Sequence, residues 1–105
     1  MTVKQVKVTE VGPRDGFQSE KTVLKTEDKV DIINHLIEAG FKRIEVSSFV
    51  SPKAIPQLAD AATILDNVKR NSNTTLAALV PNAKGALRAV DAKLDEIVVF
   101  LSASE

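Results

Sequence analysis

Four runs rich in β-branched residues alternate with three amphipathic runs along this chain, with short connections between them. That alternation constrains the fold more than any single residue does. Residues 5–11, QVKVTEV, alternate through Val6 and Val8 and predict a strand. Thr26 predicts an N-cap, and Glu27 and Asp28 place negative charge at the positive end of a helix. Over 27–39, Val30, Ile33 and Ile37 share one stripe, with Ile32 and Leu36 beside it, and Gly40 sits where a left-handed C-cap belongs. Residues 42–47 predict a second strand, and SPKAIP a turn whose two prolines bar a helix before about residue 56. Leu58, Ala61, Ala62, Leu65 and Val68 mark a second helix, which the NSN stretch breaks. TTLAALV, 74–80, predicts a third strand; Asn82 caps a third helix carrying Leu87 and Val90; and 96–101, EIVVFL, is a fourth strand apolar on both faces.

The resulting β-α-β-α-β-α-β order implies an α/β fold with a parallel sheet and right-handed crossovers. Two architectures fit it: an open doubly wound sheet, or the first half of a (β/α)8 barrel. The all-apolar fourth strand suits either interior. Whole barrels need about 250 residues, whereas this chain has 105 and stops directly after a strand. A barrel could therefore take only its first half from residues 1–105, and a chain end directly after a strand is unusual for a complete α/β domain.

Hydrophobic residues at 44% and charged residues at 27% are globular composition. Lys plus Arg and Asp plus Glu both number 14, with no basic block, which leaves no electrostatic footprint for nucleic acid or an anionic membrane. The chain has no cysteine, which removes disulfides, thiolate metal sites and cysteine nucleophiles. The N-terminus is too polar for a signal peptide, and no apolar run approaches the roughly 20 residues that span a bilayer. These features predict a soluble protein of a reducing compartment, the cytoplasm.

In either architecture ligands bind at the C-terminal ends of the strands. Arg14, Asp15 and Gln18 follow the first strand; Glu45, Ser47 and Ser48 end the second; Pro81 and Asn82 follow the third; Ser102, Ser104 and Glu105 follow the fourth. A carboxylate on a strand as apolar as Ile44-Glu45-Val46 needs a cationic partner, because burying it unpaired is costly, and Arg14 is the candidate. Arg14, Asp15 and Glu45 read either as a functional cluster or as a salt-bridge network closing the top of the sheet. Asp15 is a hard oxygen ligand suited to Mg²⁺ or Mn²⁺, but one carboxylate does not make a metal site. His35, the sole histidine, lies mid-helix and reads as a surface residue. Ser47 and Ser48 have no histidine base at a strand end, so a serine nucleophile is weakly supported. Gly12, Pro13 and Gly16 read as turn chemistry, not as a phosphate-cradling loop.

VGPRDGFQSEK, IEVSSFVSPKAIPQLAD, LVPNAKGALRAV and FLSASE resemble the 3-hydroxy-3-methylglutaryl-CoA lyase family, among the metal-dependent aldolase-like barrels that include isopropylmalate and homocitrate synthases. The resemblance runs through essentially the whole chain and implies that residues 1–105 are a single N-terminal fragment of such a (β/α)8 barrel, about three βα units plus a fourth strand. RDG-Q marks the superfamily, and SSFVSPKxxPQ the lyase branch. Phe17 stands where the family usually has leucine and Ser19 where it often has asparagine, and neither change removes a functional group. The resemblance implies retro-Claisen cleavage of 3-hydroxy-3-methylglutaryl-CoA, a CoA thioester, to acetyl-CoA and acetoacetate, in leucine breakdown and ketone-body formation. It implies Arg14 as enolate stabiliser, Glu45 as its holder, Asp15 as a metal ligand, and Gln18 and Ser48 as substrate-pocket residues. The family completes its metal site with a later His-x-His pair and an asparagine, and uses a cysteine in a glycine-rich loop; none of these is in this sequence.

The 105 residues alone are accordingly expected to be inactive, and to self-associate through exposed sheet edges; the full enzyme is expected to be a homo-oligomer. The competing expectations are a Claisen-condensing synthase of the same superfamily, against which SFVSPKAIPQ argues, and a noncatalytic α/β association module.

Overall fold

A computed structural model describes residues 5–103; Ser104 and Glu105, placed above at a strand end, lie outside them. The described chain opens on a π-helical turn, Gly12–Gly16, which runs into α1, Phe17–Ser19. Then follow α2 (Thr26–Glu38), β1 (Arg43–Ser48), a 3-10 turn (Pro56–Leu58), α3 (Ala61–Asn67), β2 (Thr75–Leu79), α4 (Ala83–Asp91) and β3 (Glu96–Val98). The strands form one parallel sheet in the order β1-β2-β3, so the α/β parallel expectation holds.

One face of the sheet is covered by helices. Ile44 and Val46 of β1 and Leu76 and Ala78 of β2 pack against Ile33 and Ile37 of α2, Ile64 and Leu65 of α3, and Ala89 of α4. Burying each large aliphatic side chain here stabilises the fold by about 1.5–3 kcal/mol. Two of the helices end alike. Gly40, at φ 94°, and Lys93, at φ 59°, take the left-handed position after α2 and α4. In both, paired backbone bonds close the turn: Gly40 N to Ile37 O with Phe41 N to Leu36 O, and Lys93 N to Val90 O with Leu94 N to Ala89 O. Asn82 caps α4 as expected, accepting from Gly85 N at 2.8 Å.

Four expectations need correction. The strand over 5–11 reduces to a parallel bridge from Glu10 to Ile44, and Val6 and Val8 stay exposed because nothing among the described residues covers them. Thr26 lies inside α2, behind Lys25, and makes no cap; its hydroxyl instead donates to Asp60 Oδ2 at 2.6 Å. Leu87 and Val90 point away from the sheet, since α4 presents Gly85 and Ala89 to it and the small residues permit the closer approach. The fourth strand stops at Val98, and Val99, Phe100 and Leu101 are exposed, with nothing among the described residues packed over them to hold them extended.

At the N-terminal edge of the sheet Arg43 donates to Glu96 across β2. That hydrogen bond holds the Glu96 carboxyl below its usual value and raises that of the guanidinium. Among the described residues no helix is long and apolar enough to cross a membrane.

Candidate active site

The opposite, C-terminal edge carries the chemistry. The Glu10–Ile44 bridge anchors the incoming chain beside the first half of β1, from which it runs on toward that edge: Glu10 N donates to Arg43 O at 3.0 Å, and Glu45 N to Glu10 O at 2.9 Å. Gly12 N then donates to Glu10 Oε1 at 3.0 Å, so the Glu10 side chain starts the following turn. Val11 O accepts from both Arg14 N, at 3.1 Å, and Asp15 N, at 2.7 Å. Phe17 N then reaches back five residues to Gly12 O, the wide π-type turn that recurs at functional sites, and the run delivers Arg14 over the end of β1.

The expected Arg14–Glu45 contact is present. Arg14 Nε donates to Glu45 Oε1 at 2.5 Å, and the Glu45 side chain is 8% exposed against 20% for Arg14. A buried carboxylate and a guanidinium so placed fix each other's orientation. Arg14 Nη1 also reaches Asp15 Oδ1, at 3.3 Å, where the Asp15 side chain is 64% exposed. The two neighbours in RDG are thus weakly paired, although the turn allowed them to diverge.

A β-bulge decides which residues of β1 face the cleft. The register pairs Ile44 with Leu76 and Glu45 with Ala77, then skips Val46 and pairs Ser47 with Ala78 and Ser48 with Leu79. Val46 lies in the helix-side core, and Ser47 sits opposite Ala78, a member of the same core. The extra residue therefore turns Ser48 onto the face that Glu45 occupies, where plain alternation would have put Ser47. Ser47 is fully buried, and its Oγ has no partner among the described residues.

Beside these residues lies a cleft of about 570 Å³, lined by Arg14, Gln18 and Ser48 on its polar side. Val50, Ile55 and Leu79 form its apolar wall, with Val99 and Phe100 at the end of β3. Of the five residues singled out in the sequence, three therefore line the cleft and Glu45 stands behind Arg14. Asp15 is at the surface and does not line it. His35 is exposed on α2, as expected.

Asp15 has the chemistry of a Mg²⁺ or Mn²⁺ ligand. Among the described residues, however, no three His, Cys, Asp or Glu side chains converge to hold a metal. The chain fits a divalent cation as the donor of one carboxylate and no more.

Sequence reasoning missed a second polar cluster. Lys29, 1% exposed, donates through Nζ to Gln57 O at 2.5 Å and to Asp60 Oδ1 and Oδ2 at 3.0 and 3.2 Å. The signal was present, since Lys29, Ile33 and Ile37 repeat every four residues and place the lysine on the buried stripe.

A family model described as HMGL-like matches residues 5–105. The mitochondrial hydroxymethylglutaryl-CoA lyase of Arabidopsis thaliana is 48% identical over 97% of this chain, which spans 22% of that protein. Among solved structures, the HMG-CoA lyase of Bacillus subtilis superposes with a TM-score of 0.93 at 47% identity, over 98% of this chain and 35% of that one. An HMG-CoA lyase of Acinetobacter baumannii, in complex with coenzyme A and 3-methylmalate, gives 0.92 at 48% identity, over 99% and 35%. The chain thus spans about a third or less of the length of these relatives, and its three-stranded sheet corresponds to the N-terminal part of their barrel.

Proposed function

This chain belongs to the HMGL-like family, and on that premise we propose that it forms the Arg14–Asp15–Glu45 side of a hydroxymethylglutaryl-CoA lyase active centre. The observation that carries the reading is Arg14, held through Nε by the buried Glu45 carboxylate at 2.5 Å while lining a cleft with Gln18 and Ser48. In a retro-Claisen cleavage of 3-hydroxy-3-methylglutaryl-CoA the tertiary hydroxyl loses its proton and the bond between C2 and C3 breaks. The bonding pair passes to the thioester as an enolate, leaving acetoacetate, and protonation of the enolate carbon gives acetyl-CoA. Arg14 faces the enolate oxygen, supplying preorganised positive charge where negative charge develops. With Nε spent on Glu45, its remaining N–H groups serve the substrate, a division that the planar guanidinium allows and an ammonium does not. Gln18 and Ser48 bind polar substrate atoms, and Val50, Ile55 and Leu79 exclude water from the reacting carbons.

A divalent cation, Mg²⁺ or Mn²⁺, with Asp15 among its ligands, would lower the pKa of the tertiary alcohol. The remaining ligands and the proton donor come from outside this sequence, so the 105 residues alone are inactive. Lyase names on the relatives favour cleavage over condensation, and the complex of one of them with coenzyme A supports a CoA thioester as substrate. The lack of cysteine suits the cytoplasm.

The test replaces the corresponding third of the Bacillus subtilis lyase with this chain and follows acetoacetate release. Activity near that of the parent is expected. Arg14→Lys should then lower kcat by about 10²–10³-fold, the range for losing one oxyanion donor. A folded, soluble chimera without lyase activity would refute the assignment.

A further inference from the structure

Residues 50–60 supply Val50 and Ile55 to the cleft wall, yet they are held to the rest of the chain by few bonds. Within the segment, backbone bonds are local: Ala54 and Ile55 N to Ser51 O, Leu58 N to Ile55 O, and Ala59 N to Pro56 O. Among the described residues, the hydrogen bonds that leave the segment toward any element other than α3 pass through three side chains. Thr26 Oγ1 and Lys29 Nζ reach it from α2. Gln57 Nε2 leaves it to donate to Glu20 O at 3.2 Å. Glu20 closes α1, its N donating to Phe17 O, and α1 carries Gln18 of the cleft. One continuous polar path therefore joins α2 to both loops that build the site.

Lys29 is the centre of that path. Its ammonium is buried, and its donors are directed to a backbone carbonyl and to both oxygens of one carboxylate. An apolar residue of similar volume would fill the same space without the desolvation cost, but it would fix no direction. Three differently aimed hydrogen bonds fix the segment in position as well as in contact.

We propose that Lys29 is a positioning residue, which fastens residues 50–60, and through Gln57 the Phe17–Glu20 turn, into one wall that sets the width of the cleft. Arg14 is fixed separately by Glu45 on β1, so loss of the clamp disturbs how the cleft grips a ligand more than the charge that it presents. The consequence for substrate affinity rests on the lyase reading, whereas the clamp itself does not.

Amide hydrogen exchange on the chain tests the clamp without any assay of activity. Lys29→Met keeps the volume and removes the charge. The amides of Glu20, Ala54, Ile55, Leu58 and Ala59 should exchange about tenfold faster or more, while those of β2 change far less. If Lys29→Met fails to fold, Gln57→Ala decides. It spares the carbonyl that Lys29 uses, and should accelerate Glu20 with no change in the unfolding midpoint. A proportional rise in all amides, β2 included, would make Lys29 a general stabiliser and overturn the proposal, as would an unmoved Glu20 amide in Gln57→Ala. In the lyase chimera, Lys29→Met should raise KM by about tenfold with kcat within about twofold, the split expected when ground-state and transition-state binding weaken together. Equal KM with lowered kcat also overturns it. Local exchange effects in a chimera that has no lyase activity at all would uphold the clamp and refute the lyase reading.

Discussion

Gly85→Ala and Gly16→Ala are the same substitution in two helical settings, and the structure gives them opposite signs. Gly85 is in the first turn of α4, buried against the end of β1. A Cβ there would lie 2.8 Å from Phe49 O, 3.3 Å from Pro81 Cδ and 3.4 Å from Asn82 Oδ1. None of these is the free end of a flexible side chain. Phe49 O belongs to a residue whose N donates to Leu79 O at 2.8 Å and whose ring sits 5.4 Å from the Arg88 guanidinium carbon. Asn82 Oδ1 is itself the cap acceptor for Gly85 N. Relief therefore requires α4 to move off the sheet. Alanine gains about 1 kcal/mol from helix propensity, whereas overpacking a contact with rigid backbone costs toward the upper end of about 1–3 kcal/mol, for a net loss of up to about 2 kcal/mol. At a urea slope of about 1–1.5 kcal/mol per molar the midpoint should fall by about 1 M with the slope unchanged. Gly16 is in the right-handed helical region, at φ −63° and ψ −48°, with nothing within 4 Å of a Cβ. Gly16→Ala should raise the midpoint, by about 0.5–1 kcal/mol in stability. Urea unfolding followed by circular dichroism reads both variants. A Gly85→Ala chain as stable as the parent or more so, with Gly16→Ala behaving as expected, would show that the α4–β1 contact is softer than its geometry implies, and would refute the reasoning.

Three other outcomes follow from particular residues. Lys93→Gly should stabilise the chain by about 0.5–1 kcal/mol, because the left-handed position after α4 costs a residue with Cβ about 1–2 kcal/mol and glycine returns part of this as unfolded-state entropy; thermal or urea midpoints measure it. The Glu96 carboxyl is held below its ordinary value by the Arg43 hydrogen bond. Its contribution is therefore complete above the unfolded value of about 4.3 and disappears as pH falls through the lower folded value. Urea midpoints between about pH 5 and 2 should decline less steeply for Glu96→Gln than for the parent; Arg43 stays charged throughout and adds no slope. Ile97, Val99, Phe100 and Leu101 are exposed, Leu101 at 95%, and β3 ends the sheet with a free edge among the described residues. The chain should self-associate through this strip. Sedimentation should show mass rising with concentration, and Phe100→Lys should lower it.

The sequence by itself determined the order of elements, the parallel sheet and the end at which chemistry collects. Local signals sufficed because glycine at 40, asparagine at 82 and the apolar stripe of α2 each favour one backbone state without help from distant residues. It also predicted the Arg14–Glu45 pair, since a carboxylate in an apolar strand demands a cation wherever the strand goes. Three matters awaited the tertiary structure. Whether Val6, Val8 and the residues after Val98 are strand depends on a neighbour to pair and cover them, which no local pattern supplies. Which of Ser47 and Ser48 faces the cleft depends on one bulge at Val46, and a single residue inserted in a period of two reverses every side chain beyond it. That Lys29, Thr26, Asp60 and Gln57 form one cluster depends on α2 packing beside α3, which brings together residues up to 34 positions apart. Burial and pairing are properties of neighbours in space, and there the one-dimensional pattern stops.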